Sequence, residues 1–403
     1  MAASLPLGLG WPKDNQLELV PNTNATFHAY VHIPFCAVRC GYCDFNTYTS
    51  KELRGVSQAD FHIPLIQEVD LSRQLLSNWG IPNRKLSTVF FGGGPPSMFE
   101  ASQISAILES LKANFGFTDD IEITLEANPE GLDHLKLDQL KLAGVNRISL
   151  GVQSFDQQVL DVLDRVHSRD KVIAAVRLAR ELGLRVSVDL IYGAPGESLE
   201  SWEATLRQAL ELGVEHVSAY SLIIEEGTAI ARKISRGELA DVDEDLNADK
   251  YLLTEKLLTE AALTNYEVSN WGNPSRHNQA YWESQDWWGY GPGAHSHISG
   301  ARFWNQKHPA TYAAALEKGS PAHGFEYLDP RTQLEEQLLL MLRTNSGVSS
   351  ALLRELGVPN ELVANAVANG LLALAPGGKL VATLNGRLLV DGLVLDFLSK
   401  SKP

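Results

Sequence analysis

The sequence has little cysteine. Its 403 residues include three, Cys36, Cys40 and Cys43, and all of them fall in one short window. A disulfide framework needs cysteines spread along the chain, so this pattern excludes one and favours a metal or redox site in a reducing compartment. Buried, unreactive thiols would not explain why all three occur together.

Long apolar runs and positive charge are also scarce. No stretch approaches the roughly 20 apolar residues of a membrane-spanning helix, and the N-terminus does not resemble a signal peptide. Asp and Glu number 49 against 34 Lys and Arg, for a formal net charge of −15. This balance disfavours nucleic-acid partners and docking through a polybasic segment on an anionic membrane. We therefore expect a cytoplasmic protein.

Short apolar runs alternate with helix-length segments through the first two-thirds of the chain. Their brevity and β-branched content are typical of buried parallel strands. Six such strands are predicted, at 28–33, 88–91, 121–126, 147–152, 185–191 and 216–223. Helices are predicted between them, with Gly183 and Gly213 at the ends of two. The pattern predicts an α/β fold with a parallel sheet, either doubly wound or curled into a full or partial barrel.

A change of composition after Asp241 suggests four regions. They are an N-terminal extension (1–27), a β/α barrel (28–240), a barrel extension rich in aromatic residues, histidine and glycine (241–328), and a C-terminal domain (329–403).

The C-terminal domain is predicted to be winged-helix-like. Helices are expected at 331–343, 349–356 and 360–369, followed by a hairpin around Asn385–Gly386. From residue 330 onward there are seven Lys or Arg and six Asp or Glu residues, with no basic recognition helix. We therefore interpret this domain as a lid or partner-docking module rather than a DNA-binding domain.

The three cysteines follow the first predicted strand, in "YVHIPFCAVRCGYC" (30–43). This places them at the carboxyl edge of a parallel sheet, where active sites form. Three thiolates from one loop can bind three irons of a cubane cluster and leave the fourth iron open. Structural zinc is the main alternative, but it needs four ligands, and the nearby His28 and His32 are expected to lie on the strand itself.

The spacing Cys36-x3-Cys40-x2-Cys43, with Tyr42 directly before the last cysteine, resembles the radical S-adenosylmethionine (SAM) superfamily. The resemblance implies a partial (β/α)6 barrel and a 4Fe–4S cluster held by the three cysteines. SAM would chelate the open iron through its amino and carboxylate groups. An electron from the cluster would then cleave SAM to methionine and a 5′-deoxyadenosyl radical.

Further residues match the coproporphyrinogen dehydrogenase branch of that superfamily, some members of which bind two SAM molecules. The resemblance extends over about residues 28–400. It implies cofactor-binding roles for Tyr30, Tyr42, Gly94, Glu126, Gln153, Arg165 and Asp189. Gly94 belongs to the glycine turn of "FFGGGPPS" (90–97), where the family usually has Gly-Gly-Gly-Thr-Pro. Pro95 replaces the threonine, which removes a hydroxyl and a backbone donor.

Two features distinguish groups within this branch. The oxygen-independent coproporphyrinogen III oxidases have a fourth cysteine where this sequence has Phe45, and they tend to be longer at the N-terminus. The haem chaperones of the HemW type are marked by His-Asn-x-x-Tyr-Trp, which His277, Asn278, Tyr281 and Trp282 match in full. An imidazole is a good axial ligand for haem iron, and aromatic rings offer flat apolar surface to a porphyrin.

Two functions from different classes therefore remain open. The favoured one is a haem chaperone that binds haem near His277 and transfers it, as a monomer or dimer, to an acceptor such as a membrane respiratory haem protein. The alternative is oxidative decarboxylation of coproporphyrinogen III. A third hypothesis, a structural zinc protein, predicts zinc without labile sulfide. His295 and His297 are secondary haem candidates, and Trp287 and Trp288 are expected to be core or interface residues.

Overall fold

The computed structural model describes residues 8–401. We number its strands and helices in chain order. The strands are β1 (Leu9–Gly10), β2 (Phe27–Ile33), β3 (Glu52–Leu53), β4 (Val56–Ser57), β5 (Leu86–Gly93), β6 (Phe117–Ala127), β7 (Arg147–Gln153), β8 (Arg185–Tyr192), β9 (His216–Ser221), β10 (Asn265–Glu267), β11 (Asn270–Gly272), β12 (Asp286–Tyr290), β13 (His295–Ile298), β14 (Ala301–Asn305), β15 (Ala322–Tyr327), β16 (Val348–Ser349), β17 (Leu372–Leu374) and β18 (Lys379–Ala382).

The α-helices lie between and after these strands. They are α1 (His62–Asn78), α2 (Ala101–Phe115), α3 (His134–Leu142), α4 (Gln157–Val162), α5 (Arg169–Glu181), α6 (Leu199–Glu211), α7 (Ala229–Ser235), α8 (Glu244–Glu260), α9 (Arg276–Trp282), α10 (Pro309–Leu316), α11 (Pro330–Met341), α12 (Ser350–Glu355), α13 (Asn360–Ala368), α14 (Leu384–Leu388) and α15 (Val390–Lys400). None of the helices between residues 8 and 401 is long and apolar enough to span a membrane.

Six parallel strands form the centre of the main sheet. Strands β2, β5, β6, β7, β8 and β9 pair side by side in that order, so all six predicted strands are confirmed. Their residues are mostly buried, as expected for parallel strands that are covered on both faces. Within the described residues, β1 and β10 are the two edges of this sheet, so the barrel is partial, as expected.

Local sequence determines where the helices around this sheet begin and end. The Ser198 side chain caps α6 by accepting from the Ser201 backbone N–H. Gly183 and Gly213 follow α5 and α6 with φ of +73° and +62°, a conformation that favours glycine. Helix α3, which begins after its cap Asp133, was not predicted.

The region 265–327 contains strands that the sequence analysis did not predict. β12 pairs in parallel with β2, and β13, β14, β15 and β1 continue the sheet in antiparallel order. β11 and β10 extend the opposite edge. Trp288 lies in the core, as predicted. The strands of this region pair with those of the predicted barrel and form one sheet with them. The domain boundary at 240/241 stays a prediction, and so does the one at 328/329.

The C-terminal unit has its own hydrophobic core and follows the element order of a winged helix: α11, β16, α12, α13, β17, β18. The three predicted helices are confirmed, but the predicted hairpin position is wrong. β17 and β18 form the hairpin, with Gly377 and Gly378 at φ of +83° and +76° in its turn. Asn385 and Gly386 lie instead in α14, because the Thr383 hydroxyl accepts from the Gly386 N–H and starts a helix there.

Polar contacts join this unit to the barrel extension. The Arg387 guanidinium contacts the Glu255 carboxylate of α8 at 2.8 Å. The backbone N–H of Val268 donates to the Arg343 carbonyl at 3.0 Å, and that of Asn345 donates to the Tyr266 carbonyl at 3.0 Å. The C-terminal unit therefore supports the segment that leads into α9.

Candidate functional site

A cavity of about 650 Å³ lies along the parallel strands and includes residues at their carboxyl ends. Thirteen of the fourteen predicted site residues line it: Tyr30, Cys36, Cys40, Tyr42, Cys43, Gly94, Glu126, Gln153, Arg165, Asp189, His277, Asn278 and Tyr281. The exception is Trp282. The residues predicted to bind SAM and those predicted to bind haem therefore share one cavity, a proximity that the sequence did not indicate.

Backbone hydrogen bonds hold the cysteine loop against the barrel. The Cys36 N–H donates to the Tyr48 carbonyl at 2.9 Å, and the Gly41 N–H donates to the Leu163 carbonyl at 3.1 Å. The three thiols are free and partly exposed. The loop thus presents them together on one wall of the cavity.

The number of ligands near this loop suits a three-cysteine iron–sulfur cluster better than a four-ligand zinc site. Burial raises the pKa of Cys36 to about 11 and also raises that of Cys43. A positively charged metal centre bound at this loop would favour the thiolate form of these cysteines. No group of three or more His, Cys, Asp or Glu side chains within residues 8–401 is arranged to bind a single metal ion. Both ring nitrogens of His28 and of His32 are engaged in other hydrogen bonds, so neither offers a fourth zinc ligand.

Arg165 connects the cysteine loop to the strand ends. Its Nη1 donates to Cys40 Sγ at 3.4 Å, and its Nη2 donates to the Gly151 carbonyl at 2.6 Å and to Asn128 Oδ1 at 3.0 Å. Its Nε is buried without a hydrogen-bond partner among the described residues. The guanidinium is therefore fixed beside the cysteines by hydrogen bonds from its two terminal nitrogens.

The glycine turn brings backbone close to the cysteines. The Gly94 N–H donates to the Ile33 carbonyl at 2.7 Å. A Cβ on Gly94 would lie 2.1 Å from the Phe35 carbonyl oxygen and 3.0 Å from Cys36 Sγ, so only glycine fits. Pro95 follows and has no backbone N–H to offer, as the sequence indicated.

Two carboxylates lie on the opposite wall. Asp189 accepts from the Ser218 hydroxyl at 2.7 Å and from the Ser149 hydroxyl at 2.9 Å. Burial raises its pKa. Burial and the charge of Asp189 raise the pKa of Glu126 to about 8, although the Gly93 N–H bound to Glu126 acts in the opposite direction. A ligand with hydroxyl or amino donors would relieve the cost of ionising both groups.

Gln153 and Tyr42 complete this part of the wall. Gln153 ends β7 with φ of +63°, a left-handed conformation that costs on the order of 1 kcal/mol or more for a residue with a Cβ. Such strain is often found at functional sites. Tyr42 lies beside Cys40 and Arg165, and burial raises its pKa.

The His-Asn-x-x-Tyr-Trp segment is helix α9, and three of its four motif residues line the cavity. His277 is only 1% exposed, and its ring stacks on Phe90 at 5.2 Å. Its Nδ1 lies 2.6 Å from Thr88 Oγ1, and its Nε2 lies 2.8 Å from the Tyr281 hydroxyl. Asn278 donates to the Tyr266 hydroxyl at 3.3 Å. An iron could therefore reach His277 Nε2 only after the Tyr281 hydroxyl moves away.

Three other predicted candidates lie elsewhere. Trp282 is half-buried with its Nε1 unpartnered among the described residues. His295 stacks on Trp304 at 5.8 Å, and His297 Nδ1 lies 3.0 Å from the Gln285 carbonyl oxygen. Neither histidine lines the cavity.

The structure adds polar residues that the sequence analysis missed. Arg147 and His216 are the first residues of β7 and β9, and both line the cavity although they are buried. The sequence could have indicated Arg147, because a charged side chain in a strand that is buried on both faces requires a partner. Arg147 lies near Glu126 and Asp189 and lowers the pKa of both.

The rim of the cavity carries exposed apolar side chains. Val38, Phe45 and Ile223 line the cavity and are 54%, 59% and 68% exposed. Clusters of exposed apolar residues often mark binding sites. Arg39, also on this rim, provides positive charge beside them.

Comparisons with known proteins identify the family of this chain. Residues 30–209 match the model of the radical SAM superfamily. The heme chaperone HemW of Mycobacterium tuberculosis is 42% identical over 386 residues, which cover 94% of this chain and 97% of that protein. The heme chaperone HemW of Bacillus subtilis is 34% identical over 80% of this chain and 84% of its own length.

A solved structure is similar over nearly the whole chain. Coproporphyrinogen III oxidase (HemN) from Escherichia coli, a radical SAM enzyme, has a TM-score of 0.79 and 25% sequence identity, covering 93% of this chain and 90% of that one. The similarity includes the C-terminal part of the chain.

The partial barrel and its three-cysteine loop define a radical SAM protein. Proteins of this class use a 4Fe–4S cluster and SAM, as the sequence predicted. Within that class, the chain belongs to the HemW family of heme chaperones.

Proposed function

We propose that this protein is a haem chaperone that also binds a 4Fe–4S cluster and SAM. The observation that carries the proposal is that the full set of three cysteines and the His277, Asn278 and Tyr281 side chains line one cavity. The relatives named as heme chaperones support it, because they match this chain over most of its length.

Cys36, Cys40 and Cys43 would hold the cluster, which would supply a binding position for SAM and the electron for its cleavage. The protein's own contribution is positioning. Arg165 fixes the orientation of the Cys40 side chain by donating to its sulfur. Gly94 has no side chain, so the backbone can lie close to Cys36. Glu126, Gln153 and Asp189, with Tyr30 and Tyr42, form the polar surface that would orient SAM.

His277 would ligate haem iron, with Asn278 and Tyr281 as supporting residues in the cavity and Trp282 as a candidate on the same helix outside its lining. The neutral ring that this requires is favoured by burial, which lowers the pKa of His277 well below its ordinary value. The apolar rim of Val38, Phe45 and Ile223 provides contact for a porphyrin, and Arg39 suits its propionates.

Haem would then pass to an acceptor, for which a membrane respiratory haem protein is our candidate. A cytoplasmic location suits three clustered thiols that must stay reduced. The chain would act as a monomer or dimer.

The alternative function is oxidative decarboxylation of coproporphyrinogen III, and the similarity to the HemN structure favours it. Phe45, an exposed side chain on the rim, stands against it, because the oxidases resembled by the sequence have cysteine there. Anaerobic turnover of coproporphyrinogen III with SAM and a reductant tests this activity directly.

The deciding experiment is a haem titration of anaerobically reconstituted protein, followed by the Soret band. Wild type is compared with His277→Ala and with His134→Ala, a control at an exposed histidine outside the cavity. We expect saturation near one haem per chain, lost or strongly shifted in His277→Ala alone. Weak, unsaturable haem binding that is the same in wild type and in both variants would refute the chaperone function.

A further inference from the structure

A continuous chain of hydrogen-bonded side chains crosses the barrel interior and ends at His277. Thr26 Oγ1 lies 2.7 Å from His28 Nε2, and His28 Nδ1 lies 2.8 Å from Thr88 Oγ1. Thr88 Oγ1 lies 2.6 Å from His277 Nδ1, and His277 Nε2 lies 2.8 Å from the Tyr281 hydroxyl. We call Thr26, His28 and Thr88 the relay. None of its members lines the cavity.

The direction of the relay is set at its outer end. The backbone N–H of Thr26 can only donate, so the Gln285 side-chain atom 2.7 Å away must be the carbonyl oxygen. That oxygen also lies 3.0 Å from Thr26 Oγ1, so the Thr26 hydroxyl donates to it as well. The hydroxyl has a single proton. Thr26 Oγ1 therefore accepts from His28, whose proton is on Nε2.

Each remaining proton position follows from this one. His28 is buried, and both of its ring nitrogens bond to hydroxyls rather than to a carboxylate, so its neutral form is favoured. Its Nδ1 is then a lone pair that accepts from the Thr88 hydroxyl. Thr88 Oγ1 in turn accepts from Nδ1–H of His277. A neutral His277 with its proton on Nδ1 has a bare Nε2, which accepts from the Tyr281 hydroxyl.

We propose that Thr26, His28 and Thr88 are positioning residues that hold His277 in the Nδ1–H tautomer, so that its Nε2 lone pair is available to haem iron. This inference rests on the proposed function. A histidine that ligates a metal usually donates its other N–H to a fixed partner, and loss of that partner typically costs about 10–100-fold in affinity. Thr88 is that partner here, and the Tyr281 hydroxyl is the group that iron would displace.

The tautomer can be measured without haem. In ¹⁵N-histidine-labelled, ligand-free protein, NMR distinguishes Nδ1–H from Nε2–H, and the His277→Ala spectrum identifies the signals of His277. We expect Nδ1–H in wild type and in Thr88→Ser, and Nε2–H in Thr88→Val, where Nε2–H can donate to Tyr281. A wild-type proton on Nε2 would overturn the inference. If Thr88→Val does not fold, Thr26→Val at the exposed outer end should give a mixture of tautomers, and a pure Nδ1–H spectrum there would overturn the relay.

Haem titration then tests the role of the relay. We expect Thr88→Val to weaken haem binding about 10–100-fold and to change the ferric EPR spectrum, and Thr88→Ser to restore both. Cluster absorption serves as the control for folding. Unchanged haem affinity and EPR in Thr88→Val would reject the positioning role and leave the proposed function intact. If His277→Ala also bound haem with wild-type affinity, the assignment of His277 as the ligand of haem iron would be wrong, whichever tautomer it adopts.

Discussion

Cys40 is the cysteine whose sulfur contacts a charged side chain of the barrel directly, through Nη1 of Arg165. Replacing Cys40 with Ala leaves two thiols on the loop, too few for the three irons that a SAM-binding cluster attaches to protein. We expect the visible charge-transfer absorption of the reconstituted protein to disappear, together with labile sulfide. Survival of both in Cys40→Ala would show that the cluster is bound elsewhere.

Asp189 tests the assignment of the SAM-facing wall. Its two oxygens are held by Ser149 and Ser218, so Asp189→Asn keeps the shape but loses the charge and one acceptor. Hydrogen bonds to charged groups contribute about 1.5–3 kcal/mol, so SAM affinity should fall about 10–100-fold.

Isothermal calorimetry on reconstituted protein measures this effect. Asp241→Asn, at an exposed position away from the cavity, is the matched control and should bind SAM as wild type does. Equal SAM affinities for Asp189→Asn and Asp241→Asn would show that Asp189 does not contribute to SAM binding.

At the scale of elements, one buried carboxylate joins α1 to the barrel extension. Glu68 is fully buried and accepts from the Gly291 N–H at 2.7 Å, Asn305 Nδ2 at 2.7 Å, the Tyr312 hydroxyl at 2.5 Å and Trp288 Nε1 at 3.4 Å. These donors come from β12, β14, α10 and the turn between β12 and β13. The four hydrogen bonds fix β12 and β14 relative to α1. β12 pairs with β2, the strand that leads into the cysteine loop.

This carboxylate predicts a pH dependence of stability. Burial raises the pKa of Glu68 from 4.5 to about 7, although its donors lower it. Between these values the folded state binds more protons than the unfolded state. The contribution of Glu68 is therefore complete below pH 4.5 and is lost as pH rises through 7.

The test compares urea unfolding at pH 5.5 and pH 8. The free energy of unfolding of Glu68→Gln should fall less between these pH values than that of wild type, by on the order of 2 kcal/mol. The variant should be less stable at both, because its Nε2 faces donors. Glu109→Gln, at an exposed position of α2, should keep the wild-type difference. An identical pH difference in wild type and Glu68→Gln would contradict the prediction.

At the scale of the whole molecule, one cavity has to serve two ligands. Its volume of about 650 Å³ is typical of a site for one small molecule, roughly 300–1,000 Å³. Because SAM and haem would contact the same walls, we expect saturating SAM to weaken haem binding. Anaerobic haem titrations with SAM, and with methionine as the control, measure this coupling. Unchanged haem affinity would indicate that haem binds at the rim formed by Val38, Phe45 and Ile223 rather than at His277.

The sequence predicted the central fold and most of the cavity lining, because both follow local rules. Apolar runs identified the six parallel strands, and residues at strand ends converge at one edge of a sheet. The strands of 265–327 were missed because their aromatic and glycine-rich pattern lacks regular alternation. The Asn385–Gly386 turn was wrong because the same residues also fit a capped helix, and packing in the C-terminal unit favours the helix.

By itself, the sequence determined the number and spacing of the thiols, the radical SAM class and the His-Asn-x-x-Tyr-Trp motif. Each of these depends on residues close together along the chain. Only the tertiary structure brought His277 to the cysteine cavity, separated Trp282 from it, and connected His277 to Thr26 through His28 and Thr88. Those contacts join residues up to 189 positions apart. No local pattern specifies them, because they arise from the curvature of the sheet and from burial inside the barrel.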